Sequence, residues 1–279
     1  MAVPPVTRLL SIGQQPAVVV GADGVRSIRV RPPGGSHSGL GTSGVKANFG
    51  GHRLGGPLGR IRVTTRQSSR PFRIRWLGRV RYRDALALQR RIHANAVSLP
   101  KTQDHLLLLE HHPVYTLGVR SSLDNLLMPP DEVGADLEWA DRGGDITFHG
   151  PGQLVGYPLL HLPGKRGGGM ADTVAYVRSV EQLVIDVCCD LGLTDVGRLP
   201  RYPGVWVEPD GPRPRKVAAI GVKLNRSRTM HGFALNLDPD LAFFDRMVPC
   251  GITGLGVTSL ASEGIDATMR QAVDLVAER

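Results

Sequence analysis

The chain has 279 residues, enough for one large domain or two small ones, and a formal net charge of +9. The charge belongs to one end: residues 1–70 hold ten Lys and Arg against Asp23 alone, and the remainder is balanced. That split excludes a body that is basic throughout, and no run approaches the roughly 20 apolar residues of a membrane span.

Residues 1–70 also hold thirteen glycines, one aromatic residue (Phe49) and no sustained apolar period. Such a segment buries too little surface to offset its ordering entropy, so its composition predicts disorder. Three readings of it stay open: a non-essential or artefactual tail with the true start near Val63 or later, a targeting segment, and a nucleic-acid or partner-binding arm. The apolar run in QPAVVVGADGV is too short for a secretory core.

Residues 72–80 alternate and predict a strand. Asp84 can cap a helix running to about Ser98 and ended by Pro100. HLLLLE, residues 105–110, predicts a buried strand, and HHPVYTLG leads into a loop. Residues 145–161 predict a strand and a turn. Asp172 can cap the next helix and Gly192 can close it. Val177, Val180, Val184, Val187, Cys188 and Leu191 recur there at helical spacing, so one face packs on a sheet. Residues 202–208 predict a strand. Residues 216–224 and 229–237 predict a hairpin turning through Asn225–Arg228. A terminal helix covers roughly 266–279. Strands and helices mix without regular βαβ spacing, which predicts an α+β or mixed α/β fold with helices on a mixed, largely antiparallel sheet.

The chemistry concentrates in residues 142–157, RGGDITFHGPGQLVGY. Five glycines permit sharp turns or close approach, and Arg142, Thr147, His149 and Gln153 sit among them. This reads as the wall of an active site. Arg142 suits a substrate carbonyl or phosphate, or else a surface salt bridge. Three cysteines, Cys188, Cys189 and Cys250, make a disulfide framework improbable and favour a reducing compartment. No Cys/His spacing suggests a metal site.

Cys250 lies between Pro249 and Gly251, in a turn that exposes a side chain and leaves backbone N–H groups free. It is either a nucleophile or a buried structural thiol. Cys188 and Cys189 read as packing residues. On a strand over 216–224, Lys216 starts the row of Ala218, Ile220, Val222 and Leu224, with Lys223 on the opposite face. Lys216 then points to the interior at a strand end, where it can pair with a thiolate and act as a base, or it snorkels to solvent. His231 shares a face with Phe233, Leu235 and Leu237, as a core residue, a pocket wall or an auxiliary chemical group.

Residues 142–157, with RKVAAIGVKLNRSRTMHGFALNL (215–237) and MVPCGITGLGVTSL (247–260), resemble the octanoyltransferases of lipoate biosynthesis. The pattern R-G-G-x-x-T-aromatic-H-G-P-G-Q-x-x-x-Y matches throughout, and the resemblance covers about residues 72–279. It implies the fold shared by biotin and lipoate protein ligases, in a catalytic domain at 71–279 behind the 1–70 extension. It implies transfer of an octanoyl group from octanoyl-acyl carrier protein to a lysine of lipoyl domains, those of 2-oxoacid dehydrogenase complexes and the glycine cleavage H protein. Cys250 would carry the acyl group as a thioester beside Lys216, with no cofactor, metal, nucleic acid or membrane, in the cytoplasm. Substrate contacts are implied at Arg142, Gly143, Gly144, Asp145, Ile146, Thr147, Phe148 and His149, at Ala219, Ile220 and Gly221, and at Gly232, Phe233 and Ala234. Small residues there would leave room for a straight acyl chain.

The rival enzyme is an ATP-dependent lipoate- or biotin-type ligase. The sequence lacks a GRGRxG adenylate loop, a P-loop and a strand–helix GxGxxG. A second rival is a nucleic-acid binder driven by the tail. Arg213, Arg215, Lys216, Lys223, Arg226 and Arg228 fall within sixteen positions that hold no acid. They are expected to form a docking face for an acidic carrier, or an ordinary solvated face.

Overall fold

The computed structural model describes residues 19–21, 24–26, 72–98, 103–164, 169, 171–248 and 255–279. Within the basic extension, β1 (Val19–Gly21) and β2 (Gly24–Arg26) pair antiparallel, with Val20 opposite Val25. The expectation of disorder for the rest of the extension lies outside the described residues.

The strand expected at 72–80 is β3 (Phe72–Val80). Helix α1 (Tyr82–Ser98) starts earlier than expected, because the N–H groups of Asp84 and Ala85 both donate to the Arg81 carbonyl. Asp84 therefore sits in the first turn, where a carboxylate complements the helix dipole, and does not cap. β4 (Asp104–His111) follows, buried on both faces through Leu106–Leu109. HHPVYTLG, to which the sequence reading assigns no element, holds β5 (Val114–Leu117). It lies between β6 (Asp136–Trp139) and β7 (Thr147–His149) in a small three-stranded sheet.

β7 turns through residues 150–152 into β8 (Gln153–Leu159). Gly152 has φ +84°, and a Cβ there would lie 2.1 Å from the Asp238 carbonyl oxygen, so only glycine fits this turn. Asp172 caps α2 (Thr173–Asp190), accepting from the Ala175 N–H at 2.9 Å. Two strands, β9 (Val196–Leu199) and β10 (Tyr202–Val207), lead to the expected hairpin, β11 (Arg215–Asn225) and β12 (Arg228–Asn236). Two-residue β13 (Gly256–Val257) precedes α3 (Met269–Glu278), which Thr268 opens through a capping box with Gln271.

The main sheet runs β3-β4-β8-β12-β11-β10-β9, with β13 beside β11. Only β3–β4 and β11–β13 are parallel, so the sheet is mixed and largely antiparallel. Helices α2 and α3 close a core over Leu106, Leu108, Leu154, Phe233 and Leu235. Helix α1 covers the other face, over Leu107, Leu109, Val155 and Ala234. This is the expected fold class.

One irregularity positions everything that follows. β10 pairs with β11 only at Arg215, Lys216 and Ala218, with a bulge at Val217. Between Ala218 and Val222 that edge of β11 has no strand partner among the described residues. The loop after β6 lies there instead, and the Gly143 N–H donates to the Val222 carbonyl at 2.9 Å. No helix among the described residues is long and apolar enough to cross a membrane.

Candidate active site

A cavity of about 760 Å³ opens along that unpaired edge. Its size falls within the roughly 300–1,000 Å³ of small-molecule sites. Of the expected contacts, Arg142, Gly143, Gly144, Asp145, Ile146, Thr147 and His149 line it, as do Ala219, Ile220, Gly221, Gly232, Phe233 and Ala234. Lys216 and His231 line it too. Phe148 does not. Alternation along β7 turns its ring the other way, where it stacks on Phe243 at 4.3 Å and meets Phe244 edge-on.

The glycines serve backbone approach more than acyl room. A Cβ on Gly221 would lie 3.0 Å from the Gly143 oxygen, and one on Gly232 would lie 2.1 Å from the Gly156 oxygen. Gly221 lets the 142–144 loop rest on β11, and Gly232 lets β12 meet β8.

Arg142 is buried, and its fork is engaged by its own loop and by β5. One guanidinium nitrogen donates to the carbonyl and hydroxyl of Thr116, at 2.6 and 2.8 Å. The other donates to the Asp145 carbonyl at 2.7 Å. Arg142 thereby fixes the curvature of its own loop.

Lys216 extends over Trp206, with Nζ 4.7 Å from the ring centroid. An ammonium over an indole face gains a cation–π attraction of about 0.5–2 kcal/mol. Trp206 is itself buried, its Nε1–H donating to the Tyr202 carbonyl at 3.0 Å. The simple row expected for β11 fails at this end. The bulge sends both Val217 and Ala218 into the α2–α3 core and leaves Lys216 to the cavity.

Cys250 lies outside the described residues. The chain on either side of it is described: Met247 and Val257 both line the cavity, and Val257 pairs with Lys216 itself. The Val248 N–H donates to the Asn125 carbonyl at 2.8 Å, and the Asn125 side chain donates to Asp145 at 3.0 Å. Asn125 thus ties the approach to Cys250 to the 142–149 loop. Cys188 is buried in the α2–α3 core, and burial pushes its thiol up to about 12, so it packs and is inert. Cys189 is exposed and does not pack as expected.

His149 is enclosed, and burial holds its imidazole well below the ordinary value. Its Nδ1 meets Gln153 Oε1 at 2.7 Å. Gln153 donates to Asn236 Oδ1 at 2.9 Å, and Asn236 donates to the Thr258 carbonyl at 2.9 Å. The Thr258 N–H donates to the Lys216 carbonyl at 3.0 Å. A buried polar chain therefore runs from His149 to the backbone of Lys216. Behind it, His111 meets the Val80 carbonyl and the Tyr157 hydroxyl, both at 2.8 Å, and Tyr82 stacks on His149.

His231 departs from its expected row. Its φ of +59° turns the ring away from Phe233, toward Tyr157 and Asp141. Its Nε2 meets Asp141 Oδ1 at 2.8 Å, and the second Asp141 oxygen accepts from Lys223 at 2.6 Å. The His231 hydrogen bond, aided by Lys223, holds the Asp141 carboxyl below the usual carboxylate range. Burial holds His231 below its ordinary value, and Asp141 pulls it part of the way back.

The expected basic docking face is dismantled. Arg228 is only 4% exposed and pairs with Asp104 at 3.1 Å. Lys223 is held by Asp141, Arg215 by Glu263 and Glu208, and Lys216 lines the cavity. Only Arg213 and Arg226 of the six are exposed.

The sequence reading misses Asp141, Asn236, Tyr82 and Tyr157. Asp141 directly precedes Arg142, so adjacency is a usable signal. Tyr82 opens a helix about sixty residues upstream, and nothing in the sequence points from it to the site.

The family described as the lipoyl protein ligase A/B catalytic domain matches residues 81–279. The octanoyltransferase of Acidothermus cellulolyticus is 48% identical over 203 residues, which is 72% of this chain and 87% of that protein. The octanoyltransferase of Salinispora arenicola is 50% identical over 201 residues, which is 71% of this chain and 89% of that one. Among solved structures, lipoate-protein ligase A bound with ATP superposes with a TM-score of 0.56 at 16% identity, covering 74% of this chain and 82% of that one. A structure described as a bi-partite lipoate protein ligase and its E2 lipoyl domain from Thermoplasma acidophilum gives a TM-score of 0.55 at 14% identity, covering 74% of this chain and 80% of that one. These two show the fold. On the match across 81–279 and identity near one half, the chain belongs to the lipoyl protein ligase A/B catalytic-domain family and, within it, to the octanoyltransferases.

Proposed function

We propose that this octanoyltransferase works in two steps through a thioester on Cys250. The Cys250 thiolate attacks the thioester carbonyl of octanoyl-acyl carrier protein. A new C–S bond forms, the old one breaks, and Lys216 protonates the departing carrier thiolate. A lysine amine of a lipoyl domain then attacks the acyl-enzyme. The nitrogen takes the acyl carbon, the thiolate leaves, and Lys216 recovers a proton. Thioester to thioester is nearly isoenergetic and thioester to amide is downhill, so ATP has no role.

One observation carries the reading: Met247 and Val257, on either side of Cys250, line the same cavity as Lys216. Ile146, Val177, Ile220 and Phe233 give that cavity an apolar wall, where each buried methylene contributes about 0.8 kcal/mol. The acceptors in this reading are lipoyl domains of 2-oxoacid dehydrogenase complexes and the glycine cleavage H protein. Residues 71–279 are the catalytic unit and residues 1–70 an appended extension. The cytoplasm suits the chemistry, because a reducing compartment keeps the thiol free. The ATP-dependent ligase reading is weaker, since its support is a shared fold at 16% identity or less.

Intact-mass measurement after incubation with octanoyl-acyl carrier protein tests the route. An octanoyl adduct is expected on the wild type and on Cys188→Ser, and none on Cys250→Ser. Normal amide product without any adduct would establish direct transfer instead.

A further inference from the structure

The second step leaves one proton unassigned. A lysine side chain in water is an ammonium, with a pKa of about 10.4. Amide formation removes two of its three protons. Lys216, neutral after the first step, takes one and becomes the ammonium that pairs with the released thiolate. The C–S electron pair stays on sulfur, so the other proton needs a separate acceptor.

We propose that His231, held by Asp141, accepts that second proton from the acceptor lysine and delivers it to water, on the thioester route described above. The ring lines the cavity, and Asp141 holds Nε2 at 2.8 Å. Among the described residues no partner meets Nδ1, which is the nitrogen left for exchange with substrate. His231 is 2% exposed while Asp141 is 33% exposed, so the pair spans from the cavity to solvent. A proton gained at Nδ1 inside is matched by one released from Nε2 beside a partly exposed carboxylate.

The backbone is built around this ring. His231 is a non-glycine residue in the left-handed region inside a strand, a conformation worth about 1–3 kcal/mol of strain. Gln89 of α1, fully buried, accepts its N–H at 2.8 Å and holds the turn. The groups facing the ring are Asp141, Arg142, Lys223, His149 and Tyr157. Arg142 and Lys223 reinforce the effect of burial, so the imidazole is neutral near pH 7 and able to accept. The two other histidines here are unsuited: His111 has both nitrogens bonded, and the His149 ring leans on Gln153, whose chain of bonds leads to the Lys216 backbone and not to a partly exposed carboxylate.

The experiment compares two nucleophiles on the preformed octanoyl-enzyme. A lipoyl-domain lysine arrives with the extra proton; hydroxylamine, neutral near pH 7, does not. His231→Asn removes the titrating group, and asparagine tolerates the left-handed backbone. Transfer to the lipoyl domain near pH 7 is expected to fall about a hundredfold, and hydroxylaminolysis far less. The gap should close toward about pH 9, as solvent deprotonates more of the lysine. Asp141→Asn keeps the ring and should show the same pattern more weakly. Equal losses with both nucleophiles, or a gap that ignores pH, would overturn the role. Absence of an adduct on the wild type would overturn the thioester route and this proposal together.

Discussion

The two ends of the β11–β12 hairpin use the same residue types for opposite purposes. At the open end Lys216 lies over an indole and faces the cavity. Near the turn Lys223 is 2.6 Å from Asp141, and Arg228 is buried against Asp104. The charges near the turn are tied into ion pairs, and the charge at the open end faces the cavity, where the proposed mechanism uses it. What separates the two lysines is their neighbours and not their position in a strand pattern.

The largest effect should come from Lys216→Met. Turnover should fall about 10²–10⁴-fold, the range for losing a general acid–base, while the thermal midpoint moves little. A comparable loss in Lys223→Met would erase the contrast between the two ends. Next, Arg228→Ala should unfold the protein more readily by about 3–5 kcal/mol in urea titrations, because buried Asp104 loses the guanidinium paired with it. An unchanged urea midpoint would remove the structural reading of the turn.

Acid should weaken the fold. His231 and Asp141 both have folded pKa values below their unfolded ones. Their stabilisation is therefore present at neutral pH. It is lost as pH falls below about 6.5 for the histidine and below about 3.9 for the carboxylate. His111, lowered to about 4 by burial, adds to the loss between those values. Urea midpoints measured from about pH 7 down to about pH 3 should decline, and Asp141→Asn should blunt the part of the curve below about pH 4. The smallest effect belongs to exposed Arg226: Arg226→Glu should change stability by less than about 0.5 kcal/mol.

Much of this was legible in the residues. The period of 72–80, the Asp172 cap and the hairpin are local signals, and each appears close to where the sequence implies. The small sheet β6-β5-β7 was not legible, because strands of three or four residues are too short to show a period. The site divides the same way. Local motif gave the 142–149 wall, apart from Phe148, whose direction depends on a strand that begins only at Thr147. Two departures from alternation, the bulge at Val217 and the left-handed His231, decide where Lys216 and His231 point. Both come from tertiary demands that no window of sequence contains.

The parting of β10 from β11 after Ala218 has a wider consequence. An uncovered strand margin is ordinarily a hazard, inviting stray chains to stick. Here it is turned inward and becomes the floor of the cavity. Zipping β10 along β11 by a few more rungs would tighten the fabric and fill the hollow at one stroke. Selection for hardiness and selection for turnover therefore pull against each other at this seam.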